Sequence, residues 1–261
     1  MVSKIDRTGE ISFTKVGTKM KIVKYNNKDD LYVEFQDEYK VIVHGRYKDF
    51  KTGNIKNPYD KSVEGVGYLG IGKFNYIDTP ICYTHWSEML KRCYNPYRIN
   101  KGNNIAYKDV FVEKDLLNLQ NFGKWFEENY YEIPGETMCL DKDILSKGNK
   151  LYSKDTMIFV PQRINLLFTK SNRSRGDLPI GVTIKKDRNK INLYVSCSIF
   201  ENGVKQSHYI GRFPIDRPFQ AFTAYKTFKE KYIKQVAEEY KDRIPQKLYE
   251  ALYNYEVEIN D

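Results

Sequence analysis

Histidine is the scarcest chemically useful residue in this 261-residue chain, with only His44, His85 and His208 present. Four cysteines (Cys82, Cys93, Cys139, Cys197) lie far apart, with no C-x-x-C pair and no Cys/His cluster. That spacing excludes a disulfide framework and a thiolate zinc site, so reduced, mostly buried thiols are expected. No apolar run reaches the eighteen or so residues of a membrane span, and "MVSKIDRTGE" contains no apolar segment of signal-peptide type. The expectation is a cytoplasmic protein with no membrane partner.

Aromatic residues, by contrast, make up 15% of the chain, enough to build real cores, and the net charge is +9. The charge is unevenly placed. Residues 1–76 carry 14 basic against 10 acidic residues, 77–168 carry 12 against 12, and 169–217 carry 10 against 4. After residue 217 the sign reverses, with 7 basic and 8 acidic residues. A basic stretch that stops where a helix begins suggests one charged face, the electrostatic footprint of a nucleic-acid binder. A solvated lysine-rich surface has the same composition.

Periodicity divides the chain into three segments and predicts an α+β fold. Residues 1–75 alternate apolar and polar positions in "MKIVKY" (20–25), "LYVEF" (31–35) and "YKVIVHG" (39–45), which predicts a small, basic β-rich domain. Its sheet edge is expected to carry Lys19, Lys21, Lys24, Arg46, Lys48, Lys51 and Lys56. "GVGYLG" (65–70) matches the letters of the dinucleotide fingerprint, but neither flank supplies the strand and helix N-terminus that a pyrophosphate needs. It is read as a glycine-rich linker, and no nucleotide cofactor is expected.

Residues 76–170 form the second segment. Trp86, Met89, Leu90 and Cys93 recur at helical spacing within 83–96, and Leu119, Phe122, Trp125 and Phe126 do so within 116–130. Arg92 falls on the polar side of the first helix, within possible reach of phosphate. Residues 140–165, "LDKDILSKGNKLYSKDTMIFVPQRIN", read as two short strands around a Gly-Asn turn, then the start of a helix. The third segment, 171–261, predicts strands at 179–186, 191–200 and 205–213. A helix follows from about Pro218 to Tyr240, capped by Asp216, with Phe219, Phe222, Phe228 and Tyr232 toward the sheet. A second helix is expected over 245–255.

The motifs "MLKRCYNP" (89–96), "FGKWFEENY" (122–130), "LDKD" (140–143) and "YSKDTMIFVP" (152–161) resemble those of phage-encoded HNH endonuclease-like proteins. The resemblance implies a ββα core whose site needs a histidine as base, a divalent metal (Mg²⁺ or Mn²⁺) and an asparagine that orients the histidine. The histidine position falls on Lys142, the asparagine position near Thr156 and a helix metal-ligand position on Asn165. Asp141 and Asp143 are the carboxylates left to hold a metal. A protonated lysine has no lone pair to take a proton from water, but it binds phosphate. The chain therefore reads as a degenerate, DNA-holding nuclease scaffold. An active metal-dependent homing-type endonuclease using Asp141, Lys142, Asp143 and Asn165 is the alternative.

The third segment resembles, over about 60 residues, the Apetala-type (ethylene-response-factor-like) DNA-binding domain. Gly181-Val182, Tyr194-Val195, "IGRF" (210–213) and "FQAFTAY" (219–225) carry the likeness. It implies a three-stranded sheet laid in the major groove of double-stranded DNA, with Thr183, Lys185, Arg188, Tyr194 and Arg212 facing it. Arg173, Arg175, Lys186 and Lys190, in the same basic stretch, are expected to join them as DNA contacts. Thr183 stands where the family usually has arginine, which removes a bidentate guanine reader. The reading overall is a modular bacteriophage or prophage DNA-binding protein, active in the bacterial cytoplasm, that requires no cofactor for binding. A phage-encoded protein that binds and inhibits a host factor is the further alternative.

Overall fold

The computed structural model describes residues 5–97, 107–169, 178–187, 190–201, 203–259 and 261. Arg173, Arg175 and Arg188, named above as DNA contacts, lie outside them. The protein is α+β, in two compact units: Met1–Glu128 with Lys150–Ser153, and Asn129–Asn149 with Lys154–Asp261. The segment 76–170 thus contributes to both units.

In the first unit, four antiparallel strands pair in sequence order: β1 (Ile11–Phe13), β2 (Lys19–Asn27), β3 (Asp30–Phe35) and β4 (Ile42–Gly45). Alternation sends Met20, Ile22, Leu31, Val33 and Phe35 to one face, where they bury with Phe50 of the short helix α1 (Tyr47–Lys51). The expected basic edge needs correction, because Lys19, Lys21 and Lys24 lie on β2, an inner strand; the edges are β1 and β4. Arg46 pairs with Asp49 at 2.9 Å and Lys51 with Glu10 at 3.1 Å.

Helix α2 (Pro80–Tyr94) buries Trp86, Met89, Leu90 and Cys93, the face its spacing predicts. The Trp86 indole donates to the Leu116 carbonyl at 2.9 Å, just before α3 (Leu119–Asn129). The "GVGYLG" stretch opens no helix and packs against these elements instead. A Cβ on Gly67 would meet the Leu90 side chain at 2.3 Å, and the Tyr68 N–H donates to the Leu117 carbonyl while the Tyr68 carbonyl accepts the Leu119 N–H, each at 3.0 Å. Two short strands, β5 (Phe111–Val112) and β7 (Leu151–Tyr152), pair in parallel.

The second unit begins with β6 (Met138–Asp141), which pairs antiparallel with β8 (Ile158–Pro161); helix α4 (Gln162–Leu167) follows directly. The expected hairpin is therefore corrected. The strand just after Gly148-Asn149 is β7, which pairs with β5, and the true partner of β6 comes later. The second sheet is β9 (Val182–Asp187), β10 (Lys190–Glu201) and β11 (Val204–Pro214), ordered β11-β10-β9, backed by α5 (Pro218–Tyr240). Helix α6 (Gln246–Tyr253) packs on α5.

Helix α5 has 23 residues and so spans about 35 Å. Its first half lays Ala221 and Tyr225 on Val182, Leu193, Val195 and Cys197 of the sheet. Its second half buries Ile233, Val236, Ala237 and Tyr240 with Ile158 and Val160 of β8, Ile164 of α4, and Leu248 and Leu252 of α6. One helix therefore carries both the ββα part and the three-stranded sheet. Two expectations fail at its start. The N-cap position is Arg217 rather than Asp216, with no side-chain cap, and Phe219 is 72% exposed rather than turned to the sheet.

Candidate nucleic-acid interface and hairpin site

Strand register decides which side chains share a face of the second sheet. Val182 lies opposite Val195 and Ile184 opposite Leu193, on the side covered by α5. The odd partners therefore face away from the helix. Tyr194 stands between Thr183 and Arg212, and Asn192 between Lys185 and Pro214. A bulge between Val195 and Ser196 shifts the β11 register by one residue, so that Tyr209 lies opposite Ser196, on the same outer face as Tyr194. The two tyrosine rings are 6.1 Å apart, and the Lys185 ammonium lies 5.2 Å from the Tyr194 ring centre.

The outer face is thus an exposed platform with Thr183, Lys185, Tyr194, Tyr209 and Arg212 at its centre. Lys190 has the same parity and sits at the closing turn, opposite Asp187. Lys186 does not belong to it. It pairs with Ile191 on the helix side, at the end of the sheet that α5 leaves uncovered. Tyr209 is a platform residue that the sequence reading missed. Period two alone assigns it to the wrong face, because the bulge inverts the alternation.

The hairpin residues are arranged for a different purpose. Asp141 ends β6, and its Oδ1 accepts the backbone N–H groups of Asp143 and Ile144, both at 2.8 Å. Burial pushes its carboxyl above the usual carboxylate range, against the pull of those two N–H groups. Lys142 is buried, and its ammonium donates to Asp143 Oδ1 and to the Asn149 carbonyl, each at 2.6 Å. Asn149 returns a bond from its amide to the Lys142 carbonyl at 3.2 Å. Lys142 therefore ties the 142–149 loop together. Lys142→Met is expected to cost about 1–3 kcal/mol and to speed amide exchange in 142–149, with the rest of the unit little changed.

Asn165 lies half-buried on α4, and Thr156 half-buried just ahead of β8. Among the described residues no group of three or more His, Cys, Asp or Glu side chains is placed to share a metal ion. Asp141 is engaged by two backbone N–H groups and Asp143 by the Lys142 ammonium.

The histidines are each held elsewhere. His44 pairs with Asp30 at 3.0 Å, and His208 stacks on Phe228 with ring centres 4.7 Å apart. His85, in the first unit, lies 6.2 Å from the Phe126 ring. Burial, reinforced by the Arg92 charge, pushes its pKa down to about 4. The unfolded chain therefore takes up the proton first as pH falls. The contribution of His85 is complete above about pH 6.5 and is lost as pH drops toward 4. After discounting for partial exposure, moving from pH 7 to pH 5 should cost about 1–2 kcal/mol of stability. Urea unfolding of wild type and His85→Gln at both pH values checks this, with the variant showing the flatter profile.

Arg92 hydrogen-bonds the phenol of buried Tyr152, which gives it an internal partner beside any external one. No family model, curated protein or solved structure matches this chain. The assignment of function therefore rests on the residues themselves.

Proposed function

We propose that this is a DNA-binding protein of phage type. It holds double-stranded DNA against the outer face of β9–β11 and uses a degenerate HNH-like ββα part as scaffold. The observation that carries the reading is the register that gathers Lys185, Arg212, Tyr194 and Tyr209 on one exposed face while α5 packs on Val182, Leu193, Val195 and Cys197 of the other. Lysine and arginine supply phosphate contacts, and threonine and tyrosine offer edges and rings toward the groove. Thr183, which also donates to the Tyr194 carbonyl at 3.3 Å, offers one hydroxyl where a guanidinium would read a guanine with two bonds. Modest sequence preference follows.

The ββα order of β6, β8 and α4 supports the HNH-like reading of the scaffold. The engagement of Lys142 within its loop supports its reading as non-cleaving. Both are tested by incubating the protein with a labelled random duplex library in Mg²⁺ or Mn²⁺ and in EDTA. Salt-sensitive retention without new ends is expected in every sample. Metal-dependent products that vanish in Asp143→Ala would reverse the reading in favour of an active endonuclease. No retention at any salt would shift it to a protein partner.

A further inference from the structure

A cavity of about 180 Å³ lies at the open edge of β10. The pairing of β9 with β10 ends at Val182 opposite Val195, and the cavity occupies the space beyond. Its polar lining comprises Ser196, Ser198, Lys205, Tyr225, Lys229 and Asp261. Asp261 is already committed, pairing with Lys147 at 2.8 Å and accepting the Glu258 N–H at 2.9 Å.

Lys229 is not committed. It projects from α5 toward the sheet one turn beyond Tyr225, is only 7% exposed, and makes no hydrogen bond or ion pair among the described residues. Burial holds its pKa below the ordinary lysine value, and the Lys205 charge adds to this. A desolvated ammonium without a counter-charge is among the costliest groups a fold can keep, and buried charges are as a rule paired. Met or Leu would fill the same helix position without that cost. A second cation, Lys205, borders the same space.

From this arrangement we infer that the cavity is a binding site for an oxyanion of phosphate or sulfate size, held by the Lys229 and Lys205 ammonium groups. The anion supplies the charge that Lys229 lacks. The cavity volume suits one such ion with a water or two. The inference does not depend on the outer face of the sheet binding DNA.

The test is a calorimetric titration of the full chain with sodium phosphate, against sodium chloride at equal ionic strength, together with thermal unfolding in both salts. Wild type is expected to show one saturable site and a midpoint several degrees higher in phosphate than in chloride. Lys229→Met should abolish both effects while unfolding in chloride no earlier than wild type, because it removes the buried charge. Lys205→Ala, at an exposed position, should weaken phosphate binding about tenfold. If Lys229→Met does not fold, Lys205→Glu decides, with loss of saturable binding expected. Absence of a saturable site in wild type, or an unchanged site in Lys229→Met, overturns the proposal. A phosphorus NMR titration with and without saturating duplex separates two sources of phosphate. A free-ion site keeps its bound phosphate when DNA is added, and a site for a backbone phosphate loses it.

Discussion

Replacing both Lys185 and Arg212 by alanine is expected to weaken duplex binding about 100-fold near 0.1 M salt and to lower the slope of log affinity against log salt by about two. Each cation neutralises one phosphate and releases about one condensed counterion, so affinity and slope fall together. Lys186→Ala is the matched control: same strand, same charge, opposite face. It should change affinity by less than about threefold. With about six to ten contacts in total, wild-type binding itself should fall about 10³- to 10⁵-fold between 50 and 200 mM salt. Filter binding over that range measures all three proteins. A loss for Lys186→Ala as large as that of the double variant would mean that charge, not the sheet face, governs binding.

The largest expected loss of stability comes from one methyl group. Gly181 precedes β9 with φ +75°, and a Cβ there would sit 2.0 Å from Cδ2 of Tyr225. The backbone conformation disfavours any L side chain, and the ring of α5 packs flush on the glycine. Gly181→Ala is expected to cost about 2–5 kcal/mol, the sum of left-handed backbone strain and overpacking. The unit's melting temperature should drop on the order of 10 °C. Gly203→Ala isolates the clash, since Gly203 has φ +77° but nothing within 4 Å of its Cβ site. That control should lose only about 1–2 kcal/mol. Comparable losses in the two variants would show that Tyr225 yields to the methyl, and that the helix is not seated closely on the start of β9.

These two cases also show which features were legible in the sequence. The alternation of "INLYVSCSIF" exposes the sheet, and its parity places Thr183, Lys185 and Tyr194 together, because a strand with one buried face writes its register into its apolar positions. Helix α2 was readable for the same reason, through Trp86, Met89, Leu90 and Cys93. The Val195/Ser196 bulge has no such signature, and it brings Tyr209 onto the platform. Lys142 is similar: its bonds to Asp143 and Asn149 depend on how a 16-residue connection between β6 and β8 folds back. Nor does any local period reveal that Ile158, Val160 and Ile164 share a core with Val236 and Leu248. Such pairings are long-range choices made by burial. Strand β1 and helix α1 were missed because segments of 3 and 5 residues are too short for a period to register.

Amide hydrogen exchange of the full chain, free and saturated with duplex DNA, tests the central claim most directly. New protection is expected in β9, in β10 around Tyr194 and in β11 around Tyr209 and Arg212, with the 142–149 loop and α6 unchanged. Protection confined to the first unit, or to the 142–149 loop without the sheet, would contradict the account and return the hairpin to the centre of the function.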